Sequence, residues 1–264
     1  MDKGNIHSSS FIDPSAEIHP DAKIGAFCTV GVDVRIGAGS VVHPNVHILA
    51  NTSIGKNCQI YSGCVFGGDP QDTKFKGEKS FVEIGDNNIL REYTTIHRAT
   101  GEGCKTVLGN DNMLMAYTHV GHNSYIGNFV TIASYGGVSG HVTIEDSATI
   151  GGNCGIHQFC SIGKLAMVGG MSGIIADVPP YMMMMGIPAK VCDINARGLR
   201  KANISPKVRG ELRQAYKLLY RAGLNQAQAL EAITEEIESS DELEHLLNFI
   251  RNSRSGNSGR QNQV

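Results

Sequence analysis

Every sixth residue from Ile12 to Ile174 is aliphatic or Phe, with three exceptions. The series runs Ile12, Ile18, Ile24, Val30, Ile36, Val42, Ile48, Ile54, Ile60 and Phe66. It resumes at Ile84, Leu90 and Ile96, and again at Leu108, Leu114, Val120, Ile126, Ile132 and Val138, closing with Ile144, Ile150, Ile156, Ile162, Val168 and Ile174. Only Asp72, Glu78 and Glu102 break it, and the phase survives both gaps. Four residues after an anchor the side chain is small or compact, as at Ala16, Ala22, Cys28, Ser40, Thr52, Thr94, Thr118, Ser124, Ala148 and Ser172. Each hexad therefore predicts one short strand and a turn, and three hexads predict one coil of a triangular prism. Coils stack at paired-strand spacing, roughly 4.8 Å, because no single coil buries its own core.

Two segments, 67–83 and 99–107, interrupt the hexads and are expected to loop out of the prism. Loops extruded from a rigid scaffold commonly carry function. The pattern ends at Val178-Pro179-Pro180, and Ser205-Pro206 opens a helical period through Leu212, Ala215, Tyr216, Leu219 and Tyr220 that Gly223 stops. Further helices are expected over 225–239 and 241–252. The organisation predicted is a β-helix over 1–190, a C-terminal α-helical domain over 191–252 and a disordered polar tail over 253–264.

Charge sharpens this picture. The net charge is -2, which leaves no global basic field for nucleic acid or a membrane surface. No run is long and apolar enough for a membrane span, and the N-terminus does not resemble a signal peptide. Seven cysteines, an odd number, fit reduced thiols and a cytoplasmic chain better than a disulfide framework. Cys28, Cys58, Cys64, Cys154 and Cys160 fall in the compact inward register, where a thiol is packing. Residues 190–221 are predominantly basic, including Arg209, Arg213, Lys217 and Arg221, a stripe suited to an acidic protein partner.

His97, His119, His122, His141 and His157 lie in neither inward register. One coil is eighteen residues, and His122, His141 and His157 are spaced by nineteen and sixteen, so they stack along nearly one edge. Imidazole titrates near neutrality, so such an edge suits either a general base among sugar-binding neighbours or a zinc site across a subunit boundary. No nucleophilic triad or phosphate loop accompanies it.

The hexads resemble those of hexapeptide-repeat acyltransferases, whose parallel β-helix is left-handed. More specific runs are Gln71-Asp72-x-Lys74, Ile96-His97-Arg98, His119-Val120-Gly121-His122, Ser139-Gly140-His141-Val142, Ile156-His157-Gln158-Phe159-Cys160 and Asp177-Val178-Pro179-Pro180-Tyr181. With the helix around Arg213–Arg221, they resemble the acyl carrier protein–UDP-N-acetylglucosamine O-acyltransferases of lipid A synthesis over nearly the whole chain.

That resemblance implies His122 as general base and the Gly140 N–H as oxyanion donor. It implies substrate contacts from Gln71, Asp72, Lys74, His97, His119, His141, His157, Gln158 and Lys201, and an acyl-chain ruler at Gly170 and Met167. It also implies a homotrimer without metal or other cofactor, acyl carrier protein docked on Arg209, Arg213, Lys217 and Arg221, and UDP-N-acetylglucosamine as acceptor. An N-acyltransferase for a 3-amino UDP-sugar, and more remotely a zinc enzyme of carbonic-anhydrase type, are the alternatives. Two positions depart from the family pattern. Asn123 follows His122 where Asp is frequent, and Arg200-Lys201-Ala202-Asn203-Ile204 stands where many members read Arg-Arg-Gly-Phe.

Overall fold

The computed structural model describes residues 5–255 and Gly259. Among them, the hexads form a three-sided parallel prism with sheets of nine, eight and ten strands. Sheet I runs from Phe11–Ile12 to Gly173–Ile174, and sheet II from Glu17–Ile18 to Ser161–Ile162. Sheet III runs from Lys23–Ile24 through Met167–Val168 to Met182–Gly186 and Ala189–Ile194. Most strands are two residues long, so a strand holds one outward side chain and one inward anchor.

The anchors from Ile24 onward are buried, as are the five register cysteines. Each fully buried Ile or Leu contributes about 2 kcal/mol of apolar burial. Compact polar residues in the inward register satisfy themselves on adjacent backbone. Ser40 donates to Gly55 O at 2.8 Å and accepts from Cys58 N at 3.0 Å. Burial pushes the Cys64 thiol up to about 12, and raises Cys28, Cys58 and Cys154 in the same register for the same reason. Such thiols are filler rather than nucleophiles.

The corners obey one rule. The third residue after an anchor is left-handed in every regular corner from Phe27 to Met171, including Tyr93, Asn123, Phe129, His141 and Leu165. A non-glycine residue there costs roughly 1–2 kcal/mol. The stacked coils above and below hold it, as His141 N donates to His122 O at 2.9 Å.

The extruded segments are shorter than the hexad gaps, because strands Val65–Gly68, Phe81–Ile84 and Lys105–Leu108 reach into them. What leaves the prism is 69–80 and 98–104, both at the corner between sheets I and II. The boundary at 190/191 falls inside a strand. Met182–Gly186 and Ala189–Ile194 pair antiparallel and extend sheet III beyond its last hexad. Met182 and Met184 are buried beneath them, so part of the Met run is packing.

Among the described residues four helices follow: α1 (Ala196–Lys201), α2 (Pro206–Tyr220), α3 (Gln226–Glu236) and α4 (Asp241–Ser255). The hexad reading missed α1, whose six residues are too few for a period to show. Ser205 caps α2 and Asn225 closes a capping box on α3. Leu212, Ile233, Leu246 and Ile250 form a second core that reaches Leu165, Tyr181 and Met182. Residues 253–255, expected in the tail, belong to α4, and the rest of that tail, Gly259 apart, lies outside the described residues.

Candidate active site

The outward row of sheet I reads Thr95, His119, Gly137, Gly155 and Gly173 in consecutive coils. Below are a hydroxyl and an imidazole, and above are three positions without side chains. The result is a cleft of about 570 Å³ that Gln71, His97, His119, His122, His157 and Gln158 line, with the glycines along its length. A smaller depression on sheet II, of about 370 Å³, holds mainly paired surface charges, such as Arg35–Glu17 and Lys105–Glu83, and has none of this chemistry.

His122 occupies the corner between sheets I and II. Its Nδ1 lies 2.8 Å from Asn123 Oδ1 and donates to it, which leaves Nε2 with its lone pair in the neutral ring. The ring lies directly over Gly140. A Cβ at residue 140 would stand 2.6 Å from His122 Nε2, so only glycine fits beneath the imidazole. Among the described residues, the Gly140 N–H has no protein acceptor. A bare imidazole nitrogen and an uncommitted amide donor thus share one corner.

Neighbouring imidazoles are shifted toward their neutral form. Burial, reinforced by the charges His97 and His122 can carry, pushes His119 down to about 4, and Thr95 Oγ1 lies 2.8 Å from its Nδ1. Burial also lowers His97 and His141, with His122 adding to both and Asp69 and Asp72 opposing. His141 meets His122 edge to face at 5.2 Å and stacks on Phe159 at 4.6 Å. Asp72 is held below the usual carboxylate range, chiefly by the Lys74 N–H, which it accepts at 2.9 Å. Among the described residues, no three His, Cys, Asp or Glu side chains converge as a metal-ligand set.

One protomer gathers most of the residues singled out in the sequence. Gln71, His97, His119, His122, Gly140, His157 and Gln158 line the cleft, His141 backs it, and loop 69–80 carries Asp72 and Lys74 beside it. Met167 belongs to sheet III, Gly170 to the turn that follows that strand, and Lys201 ends α1, so none of them lines this cleft within one chain. Arg213 and Lys217 are exposed on α2. Arg221 is a brace instead: Nε donates to Tyr216 Oη at 2.8 Å and Nη2 to Cys192 O at 3.3 Å. Sequence reasoning missed Thr100, Glu78 and Arg98. Arg98 pins loop 69–80 through Asp69 at 2.6 Å and lies over Phe75. All three lie in the extruded segments themselves, where the hexad pattern carries no signal.

The chain is similar to known proteins along nearly its full length. Residues 177–258 match a model for domain 2 of UDP-N-acetylglucosamine O-acyltransferase, and 33–68 match one for the bacterial transferase hexapeptide. An acyl-[acyl-carrier-protein]–UDP-N-acetylglucosamine O-acyltransferase of Trichlorobacter lovleyi is 50% identical over 256 residues, 96% of this chain and 98% of the relative. That of Thermodesulfovibrio yellowstonii is 43% identical over 95% and 98%. Among solved structures, LpxA from Acinetobacter baumannii aligns with TM-score 0.90 and 42% identity, over 94% of this chain and 97% of that one.

Proposed function

The chain belongs to the acyl-[acyl-carrier-protein]–UDP-N-acetylglucosamine O-acyltransferases and transfers an acyl chain from acyl carrier protein to UDP-N-acetylglucosamine in lipid A biosynthesis, and from that premise we propose that His122 and Gly140 perform the chemistry. His122 Nε2 takes the proton of the sugar 3-hydroxyl as its oxygen attacks the thioester carbonyl. The Gly140 N–H stabilises the oxyanion, which forms where no other group competes for that donor. Collapse forms the ester, breaks the carbon–sulfur bond and returns the imidazolium proton to the departing thiolate. Transfer is direct, so no Ser or Cys nucleophile takes part. The observation that carries this reading is the bare Nε2 above the uncommitted Gly140 N–H.

Gln71, Asp72, Lys74, His97, His119, His141, His157 and Gln158 form the wall for the acceptor sugar nucleotide, with Lys201 toward its phosphates. A (3-hydroxy)acyl chain runs along the glycine row Gly137, Gly155 and Gly173. The cleft is open on its far side in one protomer. A homotrimer closes it, the neighbour presenting sheet III with Met167 and Gly170 at the chain's end. The exposed Arg213 and Lys217, with Arg209, dock the acidic carrier protein, while Arg221 contributes through the brace. Seven free thiols, five of them buried, fit a cytoplasmic protein.

The test is mass spectrometry of products from 3-hydroxyacyl carrier proteins of several lengths and UDP-N-acetylglucosamine. His122→Ala is expected to lose at least about 10²-fold in turnover with the trimer intact. Wild-type turnover in that variant would remove His122 as the base. Gly170→Met is expected to shift preference to shorter chains, and an unchanged length profile would remove the ruler.

A further inference from the structure

The residue beside the base does more than face it. Asn123 Oδ1 accepts from Thr100 N at 2.9 Å, and Asn123 Nδ2 donates to Thr100 O at 2.9 Å. Asn123 N donates to the buried Thr106 Oγ1 at 2.9 Å, and the residue's left-handed φ of 59° fixes it in the corner. A backbone N–H only donates and a backbone carbonyl only accepts, so Thr100 alone dictates which way the amide points. The oxygen must face His122 Nδ1, at 2.8 Å, and Nδ1 must carry the proton. The tautomer of the imidazole is thus set by the backbone of an extruded loop, with Asn123 as the intermediary.

The chain of bonds continues. Thr100 lies in segment 98–104, whose Gly101 N donates to Glu78 Oε1 at 2.8 Å and whose Gly103 N donates to Lys79 O at 2.8 Å. Lys79 N donates back to Glu102 Oε2 at 3.1 Å. Glu78 and Lys79 belong to segment 69–80, which carries Gln71, Asp72 and Lys74. One amide side chain therefore joins the proposed base to both loops beside the acceptor site. An aspartate could receive the protons of His122 and Thr100 N, but it has no proton for Thr100 O and would set a charge against that carbonyl.

We propose that Asn123 is a two-sided positioning residue, whose oxygen fixes the proton of His122 on Nδ1 and whose nitrogen latches the loop pair that shapes the acceptor site. The proposal rests on His122 being the general base. Its neutral side chain performs both tasks without adding charge to a crowded corner. His122 already interacts with Asp72 from segment 69–80, with His119 from its own coil, with His97 from the coil below and with His141 above, and Lys74 acts on His141 and Asp72.

Two variants separate the roles, each assayed as the purified full-length oligomer. Asn123→Asp keeps the acceptor and the tolerance of a left-handed φ but loses the donor. Its turnover number is expected to stay within a few-fold of wild type, while KM for UDP-N-acetylglucosamine rises about fivefold, the worth of one lost hydrogen bond. The acid limb of its kcat/KM profile is expected to move up by about one pH unit, because a carboxylate beside an imidazole favours its protonated form. Asn123→Gly keeps the backbone without strain and loses both roles. Its kcat is expected to fall on the order of tenfold, a fraction of what a positioned base supplies, with the acid limb unmoved. In both variants the Thr100 and Gly101 amides are expected to exchange with deuterium faster. A role confined to structure would lower kcat and raise KM together in both and leave the pH limb in place. Wild-type KM and wild-type Thr100–Gly101 exchange in Asn123→Asp would overturn the latch, and wild-type kcat in Asn123→Gly would overturn the orienting role. Wild-type activity in His122→Ala would show instead that the base assignment had failed.

Discussion

Two corners of the prism share a backbone and differ in what is done with it. Between sheets II and III, the N–H two residues after the anchor is satisfied by the next coil at four consecutive corners. Lys56 N donates to Asp86 Oδ1, Asp86 N to Asn110 Oδ1, Asn110 N to Asn128 Oδ1 and Asn128 N to Asp146 Oδ1, at 2.7, 2.7, 2.8 and 2.7 Å. Between sheets I and II, the equivalent N–H of Gly140 is left open, and Gln158 occupies the position that would complete the ladder. The scaffold makes an amide donor at each such corner that is not proline. Where Asx side chains cap it, the corner is structural, and where the cap is absent and an imidazole lies alongside, the donor is available for chemistry.

The comparison can be broken at several points. The largest effect is expected from Gly140→Ala. Its Cβ would stand 2.6 Å from His122 Nε2, displacing base and donor together. Turnover should fall by about 10⁴-fold, the combined scale of a positioned base and one oxyanion contact, and steady-state kinetics on the intact oligomer would check it. A loss below tenfold would mean that the imidazole does not work over residue 140.

The ladder corner should respond in the opposite currency. Asp146→Ala removes the acceptor of Asn128 N and leaves the cleft untouched. A loss of about 1 kcal/mol is expected, a melting temperature lower by about 2–4 °C, with kcat unchanged. Reduced kcat at full stability would erase the distinction between the corners.

The last effect concerns acid. His119 is held at about 4 by burial and by its imidazole neighbours, well below the ordinary value. The unfolded chain therefore binds the extra proton between pH 6.5 and about 4. The associated stability is present above that window and is lost as pH falls through it. His97 and His141 are displaced in the same direction. His119→Gln should flatten the fall of melting temperature across that window, and an identical pH dependence would show that His119 contributes nothing to it.

The prism was legible because one residue in six must be buried in every coil, and such a period survives the two extruded segments. The histidine edge was legible for the same reason: spacings near eighteen residues place side chains one above another. The left-handed corner residues were not, since Phe27, Tyr93 and Leu165 have no preference for that conformation and are held by their neighbouring coils. The Asn123 latch was invisible because Thr100 sits where the hexads stop and contributes only backbone. The pairing of Met182–Gly186 with Ala189–Ile194 was hidden too, because its two short strands follow the end of the repeat.

The most direct test of the account is the turnover of Gln158→Asp beside Gln158→Ala, with acylated UDP-N-acetylglucosamine quantified by mass spectrometry. Aspartate at 158 copies the ladder and caps the Gly140 N–H, while alanine removes the same side chain and leaves that N–H open. The account predicts that Gln158→Asp turns over about 10²-fold more slowly than Gln158→Ala, the scale of one lost oxyanion donor. Equal turnover in the two variants would mean that the Gly140 N–H takes no part in the reaction.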